Sequence, residues 1–158
     1  MSEAAATALA KIQERVGTEE GVGEWFEITQ DMINQFADLT EDHQFIHVDE
    51  EGAKSVGFPT TIAHGFLTLS MLTHGAASIP QDPELFRGIA MGMNYGFDKV
   101  RFVNPVPNGS RLRCRSVLSA AEPKGDNAIH LTRTYTMEIE GADKPALVAD
   151  WIVRLQFA

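Results

Sequence analysis

The stretch Ile62–Ile79, IAHGFLTLSMLTHGAASI, is apolar on nearly every side when it is drawn as a helix. Helices of this kind are normally buried. Thr60 or Thr61 can supply the N-cap, because a threonine hydroxyl accepts a hydrogen bond from a free N–H of the first turn. The sequence therefore predicts a long helix over residues 62–79 at the centre of the domain.

Around this stretch the periodicity favours helices early and strands late. Before it we expect a helix over 4–16, a short strand over 25–29 and a helix over 30–39 capped by Thr29. After Pro80 we expect strands over 88–103, 111–116, 129–140 and 147–157, with turns at 104–109, 124–127 and 141–145. This order predicts an α+β fold in which a curved antiparallel β-sheet wraps around the central helix.

Composition limits the class of protein. With 158 residues, 44% of them hydrophobic, the chain fits a single domain over 1–158, in which residues 1–24 form an N-terminal helical extension. The single cysteine, Cys114, excludes an internal disulfide framework and makes a cytoplasmic location the expectation. The net charge of −9 argues against broad nucleic-acid binding. No secretory signal and no membrane partner are expected either.

The segment Asp42–His47, DHQFIH, carries the clearest indication of chemistry. A loop with a carboxylate at one end and an imidazole at the other can place an acid and a base on either side of a bound water. Downstream, Gly65 lies near the start of the apolar helix, where backbone N–H groups are unpaired and can receive the oxygen of a polarised carbonyl. Together the two segments predict addition or removal of water next to an acyl carbonyl.

A metal site is a competing interpretation of the same segment. His43 and His47 are four positions apart and have acidic neighbours, as in some zinc sites. We expect a loop rather than a helix here, and a loop does not bring the two rings to one face. No metal ion and no redox cofactor are therefore expected.

Two blocks of the sequence resemble the MaoC-like branch of the hot-dog fold, the (R)-specific enoyl-CoA hydratases and 3-hydroxyacyl-thioester dehydratases, and within it the nodulation protein N-like subgroup. The family signature Gly-Asp-x-Asn-Pro-(Leu/Ile)-His is matched by Glu41–His47, and His-Gly-x-x-x-x-Ser by His64–Ser70. The resemblance extends from about Trp25 to the C-terminus. Glu41 stands where the family has glycine, and glutamate does not readily adopt the positive φ that glycine tolerates.

The resemblance implies roles for particular residues. Asp42 and His47 would hold the water that adds to a trans-2-enoyl thioester, without an assignment of which one takes its proton. The backbone N–H of Gly65 would bind the thioester oxygen, and Ser70 would orient the carboxylate. Ala63 and His64 would contact the substrate, although His64 could instead cap or pack against the helix start.

Ligand and partner expectations also follow from the resemblance. The substrate would be an acyl thioester of coenzyme A or of a carrier protein, and the protein would be a homodimer. Arg111 and Arg113 belong to the one dense basic cluster and would meet coenzyme A phosphates, although a solvated strand face explains them more simply. Two other functions remain open, namely a hot-dog acyl-CoA thioesterase and a non-catalytic acyl-thioester-binding protein.

Overall fold

A computed structural model describes residues 1–125 and 127–158. The helices are α1 Glu3–Gln13, α2 Gln30–Thr40, α3 Phe45–Val48, α4 Glu50–Ser55, α5 Gly65–Ser70 and α6 Leu72–Ala77, with a 3₁₀ turn at Pro83–Phe86. The strands are β1 Glu19–Val22, β2 Phe26–Glu27, β3 Ile89–Phe102, β4 Arg111–Lys124, β5 Ala128–Ile139 and β6 Leu147–Phe157. Within the described residues, no helix is long and apolar enough to cross a membrane. The predicted turn at 124–127 includes residue 126, which lies outside the described residues.

The late strands form the antiparallel sheet that the periodicity predicts. The strand order is β1-β4-β5-β6-β3, and β2 adds a short pairing to β4. Side chains alternate across the sheet, so that Leu112, Cys114 and Ser116 are buried while the arginines between them face outward. The main core lies between this inner face and the helices.

The central helix begins later than predicted. Residues 62–64 are extended, because Ile62 forms a β-bridge with Pro107 and the N–H of Ala63 donates to the carbonyl of Val106 at 2.8 Å. These hydrogen bonds to distant segments replace the first helical turn. The threonine N-cap is therefore wrong, and the helix begins at Gly65 instead.

The helix is also interrupted and only partly covered. A break at Met71 divides it into α5 and α6, each of six residues. Leu67, Leu72 and Gly75 on one side are buried in the core, whereas Phe66 on the opposite side is 67% exposed. A single chain therefore encloses one side of its central helix, so the predicted burial of this helix holds for that side alone.

The N-terminal segment is helical only in its first half. Ser2 caps α1, and the apolar face of α1 covers a second core cluster at the far end of the sheet. Residues 19–22 then form β1, which pairs with β4. The helical extension predicted for 1–24 is wrong for this strand, whose sequence EEGV lacks an alternating apolar pattern.

The glycine of helix α6 permits close packing on the sheet. A Cβ atom at Gly75 would collide with the Sγ atom of Cys114 and would lie 3.2 Å from the ring of Phe26. We expect Gly75→Ala to lower the free energy of unfolding by about 1–3 kcal/mol, because the core must shift to admit the methyl group. Chemical denaturation measures this, with the exposed Thr73→Ala as a near-neutral control. Equal stability of the two variants would contradict the packing described here.

Glu41 occupies the left-handed region that the family's glycine suggests. Its φ is 58° and its ψ is 22°, directly after α2. Because glycine lacks the Cβ clash of this conformation, we expect Glu41→Gly to raise the free energy of unfolding by about 0.5–1 kcal/mol. Gln44→Gly is the control, since Gln44 has a φ of −57° and should lose stability. Thermal melts that shift in the same direction for both variants would contradict this account.

Candidate active site

His47 lies on a short helix rather than in the loop that the sequence predicts. Helix α3 carries it inward, where the side chain is 6% exposed. Its Nδ1–H donates to the backbone carbonyl of Ile62 at 2.7 Å, which assigns the ring proton to Nδ1 because a carbonyl can only accept. The Nε2 atom is left with a free lone pair in the neutral ring.

The environment favours the neutral form of this imidazole. The pKa of His47 is lowered from the ordinary value of 6.5, chiefly because burial disfavours the charged ring, and the neighbouring His64 lowers it further. The Ile62 carbonyl and the Asp42 carboxylate act in the opposite direction. At neutral pH His47 is therefore an acceptor of a proton or of a hydrogen bond.

Three polar side chains converge at this point. One atom each of the Asp42 carboxylate, the His47 ring and the His64 ring lie within 4.8 Å of one another. The two imidazoles are stacked, with ring centroids 3.7 Å apart and planes inclined by 25°. Lone pairs in nearly parallel planes do not point at one shared ion, so this geometry is a poor fit for a metal. The expected absence of a metal remains a prediction.

A cavity of about 310 Å³ adjoins the cluster, and we call it the catalytic pocket. Its lining is mostly apolar and comes from the His47 helix, the start of α5 and the loop after β3. The lining residues are Ile46, His47, Ile62, Ala63, Gly65, Thr68, Phe102, Asn104, Pro105, Val106 and Ala146. An apolar pocket with a few polar groups at one point is typical of a site for a small organic ligand.

Gly65 lines the catalytic pocket and, within the described residues, has a backbone N–H without a backbone acceptor. It is the first residue of α5, so its N–H has no acceptor within the helix. In the part of the chain that the structure describes, no other backbone carbonyl accepts from it. A Cβ atom at this position would lie 3.2 Å from the ring of Phe102. The glycine therefore lets that ring close one wall of the pocket.

The other predicted residues divide into those at the pocket and those outside it. Ala63 lines the pocket, and the buried His64 lies beside His47 without making a side-chain cap. Ser70 is exposed, and its hydroxyl donates to the carbonyl of Phe66 at 2.8 Å. That bond lies within its own helix, so the contacts give no support to an orienting role for Ser70.

Arg111 and Arg113 lie on the outer face of β4, away from the catalytic pocket. Arg111 pairs with Glu140 at 3.0 Å and Arg113 with Glu138 at 2.6 Å. Both guanidinium groups also approach the ring of Trp25. Because carboxylates already neutralise them, the structure does not bring these arginines to the site as phosphate ligands.

Sequence reasoning missed part of the pocket wall. Phe102, Asn104, Val106 and Ala146 line it, yet the sequence marks 104–109 only as a turn. The β-bridge between Ile62 and Pro107 brings this loop to the start of α5. A contact between segments so far apart leaves no local signal in the sequence.

Comparison with known proteins places the chain in a family. It is 47% identical over 151 residues to nodulation protein N of Rhizobium leguminosarum bv. viciae, covering 95% of this chain and 92% of that protein. It is 44% identical over 147 residues to 3-hydroxyacyl-thioester dehydratase Z of Mycobacterium tuberculosis, covering 93% and 95%. The fold matches the (R)-hydratase from A. caviae, with a TM-score of 0.67, 21% identity and coverage of 87% and 94%.

These findings confirm the hot-dog fold and the predicted resemblance. The family model described as MaoC like domain matches residues 11–140. The match begins before Trp25 and ends at residue 140, so it starts and ends earlier in the chain than the predicted resemblance. The chain therefore belongs to the family of MaoC-like domains.

Proposed function

We propose that this protein is a hydro-lyase that hydrates trans-2-enoyl thioesters to (R)-3-hydroxyacyl thioesters or runs the reverse dehydration. The observation that carries the proposal is the convergence of the Asp42 carboxylate and the His47 imidazole beside an apolar pocket that Gly65 also lines. The name of the mycobacterial relative, 3-hydroxyacyl-thioester dehydratase Z, supports the same reaction class.

The pair would act on one water molecule. In hydration the water oxygen forms a bond to C3, and the electrons of the C2=C3 bond move toward the thioester oxygen. At the same time the Asp42/His47 pair takes one proton from the water. The enolate electrons then form a C2–H bond with a proton returned by the pair. Asp42 and His47 end as they began, so the cycle needs no other reactant.

The negative charge of the enolate needs a donor at the thioester oxygen. The N–H of Gly65 fills this role in our proposal, because it is unpaired in the described backbone and lies in the same pocket as His47. The apolar wall excludes water from the enolate, which strengthens such a hydrogen bond. The substrate would be an acyl thioester of coenzyme A or of a carrier protein.

The direct test uses crotonyl-CoA as the substrate. We expect the enoyl-thioester absorbance to fall and the product to be the (R)-3-hydroxyacyl thioester, identified with a stereospecific dehydrogenase. Release of free thiol without hydration would instead indicate a thioesterase. If the protein binds the thioester and leaves it unchanged, an acyl-binding role replaces the proposed activity.

The pH dependence of the reaction follows from the state of His47. In our proposal the active form of His47 is the neutral ring, and burial lowers the pKa of His47 from 6.5. As pH falls, the decline in kcat/KM should therefore have its midpoint below 6.5. A steady-state profile in the hydration direction measures this. Activity that rises on acidification would show that the charged ring is the active form.

We also propose that the protein is a homodimer formed through β3. This 14-residue strand is at the edge of the sheet, and among the described strands only β6 pairs with it. It carries an unusual number of exposed apolar side chains, namely Met91, Met93, Tyr95, Phe97 and Phe102. A long, exposed, apolar edge is a template for pairing with another strand, and a second copy supplies one.

Light scattering of the purified protein tests the dimer. We expect the wild type to have twice the monomer mass and the double variant Met93→Lys/Tyr95→Lys to have the monomer mass, because lysines on an edge oppose strand pairing. Leu39→Lys is the control, since Leu39 is 81% exposed on α2, outside β3. A monomeric wild type at micromolar concentration would contradict the proposal.

The absence of a cofactor and the cytoplasmic location remain predictions.

A further inference from the structure

His64 is buried behind His47, outside the lining of the catalytic pocket, and has no role in the reaction described above. It is 2% exposed and directly precedes α5, yet its side chain makes no helix cap. One side of its ring stacks on His47 at 3.7 Å, and Phe36 packs against it with a centroid distance of 5.0 Å. This imidazole therefore packs against His47 and Phe36, which come earlier in the chain, and does not cap the helix that follows it.

The hydrogen bond of His64 reaches the backbone of Asp42. Its Nε2 atom lies 2.9 Å from the Asp42 carbonyl oxygen. Since a carbonyl only accepts, Nε2 carries a proton, and in the neutral ring Nδ1 holds the lone pair. The Nδ1 atom is buried and has no partner among the described residues. The hydrogen bond to Asp42 thus requires a proton on Nε2.

Three hydrogen bonds join the segment 42–47 to the segment 62–64. The N–H of Ile62 donates to the carbonyl of Ile46 at 2.9 Å, and His47 Nδ1–H donates to the carbonyl of Ile62 at 2.7 Å. Both of these hold the His47 end of the catalytic segment. The third, from His64 to Asp42, is the one hydrogen bond that reaches Asp42 in the described chain.

Asp42 needs this support because of the residue before it. Glu41 has a φ of 58° and reverses the chain after α2 in a conformation that costs a non-glycine residue about 1–2 kcal/mol. Asp42 itself is exposed and lies outside any helix or strand. A carboxylate on such a segment is placed by whatever holds its main chain, and His64 is the residue that does so.

We infer that His64 is a positioning residue, which holds the Asp42 main chain through Nε2–H and stacks on the His47 ring, so that the two catalytic groups stay aligned on one water. The inference rests on the proposed hydratase function. It assigns no proton transfer to His64. Its removal should misplace Asp42 while leaving substrate binding in the apolar pocket largely intact.

The test compares two substitutions in the crotonyl-CoA assay. His64→Phe keeps the aromatic stack and loses the donor, so we expect kcat to fall by about 10- to 100-fold with a much smaller change in KM. His64→Gln places an amide N–H near the position of Nε2, so we expect it to recover most of the lost kcat. Phe36→Leu alters packing on the other side of the ring without touching the hydrogen bond, and its kcat should stay close to the wild type.

The outcomes separate the inference from the function on which it rests. The positioning role would be overturned by a folded His64→Phe variant with the kcat of the wild type. It would also be overturned by a folded His64→Gln variant that is as slow as His64→Phe. In both cases hydration by the wild type stands. If His64→Phe does not fold, the kcat of His64→Gln decides, with near-wild-type kcat expected and a 10- to 100-fold loss overturning the role. A wild type without hydratase activity would overturn both.

Discussion

Asp42→Asn and His47→Ala should each lower kcat for crotonyl-CoA hydration by about 10² to 10⁴-fold, because each removes one of the two groups that share the water. The fold should persist in both, since Asp42 is exposed and the bond from the Ile62 N–H to the Ile46 carbonyl still joins the two segments when His47 is replaced. Circular dichroism and thermal melts check this. A lower kcat in a folded variant would then reflect the loss of an acid–base group.

The matched control for these variants is His43→Ala. His43 is next to Asp42 in the sequence, but its ring is exposed and bonds to Asp38 at 2.7 Å, on the preceding helix. We expect its kcat to equal that of the wild type. Unchanged turnover in Asp42→Asn and His47→Ala would remove both residues from the mechanism.

Gly65→Pro should cause the second large loss, about 10² to 10³-fold in kcat, because proline has no backbone N–H to donate to the enolate oxygen. The helix should tolerate the change, since proline is favoured at the first helical position. The preceding His64 has a φ of −59° and a ψ of 138°, the extended conformation that proline imposes on its neighbour.

Gly65→Ala is the control that adds a Cβ atom and retains the N–H. Both variants place a Cβ atom against the ring of Phe102, but alanine retains the donor. We therefore expect Gly65→Ala to keep at least about ten times the kcat of Gly65→Pro. Equal activity of the two variants would assign the loss to the pocket wall and would exclude Gly65 as the oxyanion donor.

The strands after Pro80 were predictable because the alternation of apolar and polar residues is a local pattern in the sequence. β6 runs from Leu147 to Phe157 as the alternation indicates, and Thr29 caps α2 through the N–H of Met32. In contrast, β1 has no periodic pattern and is a strand because β4 offers it an edge. Pairing between distant segments overrides local preference there, as it does at residues 62–64.

The residue types of the candidate site could be predicted from the sequence, but the hydrogen bonds and packing contacts between them could not. A carboxylate and an imidazole at the two ends of DHQFIH indicate acid–base chemistry from the sequence alone. The hydrogen bond from His64 to Asp42 joins segments 22 residues apart, and the wall formed by Phe102 depends on how β3 packs beside the start of α5. Arg113 is a residue that the sequence suggested for the site and the structure does not place there. It belongs to an apparent basic cluster, but its guanidinium group is paired with the carboxylate of Glu138 on the neighbouring strand.

The double variant Asp42→Asn/His47→Ala tests the central claim, that the two side chains act as a unit on a single water. Groups that act as a unit are not additive, so we predict that its kcat for crotonyl-CoA hydration is no more than a few-fold below that of the slower single variant. A kcat lowered by the product of the two single losses would show two independent contributions and would contradict the shared water.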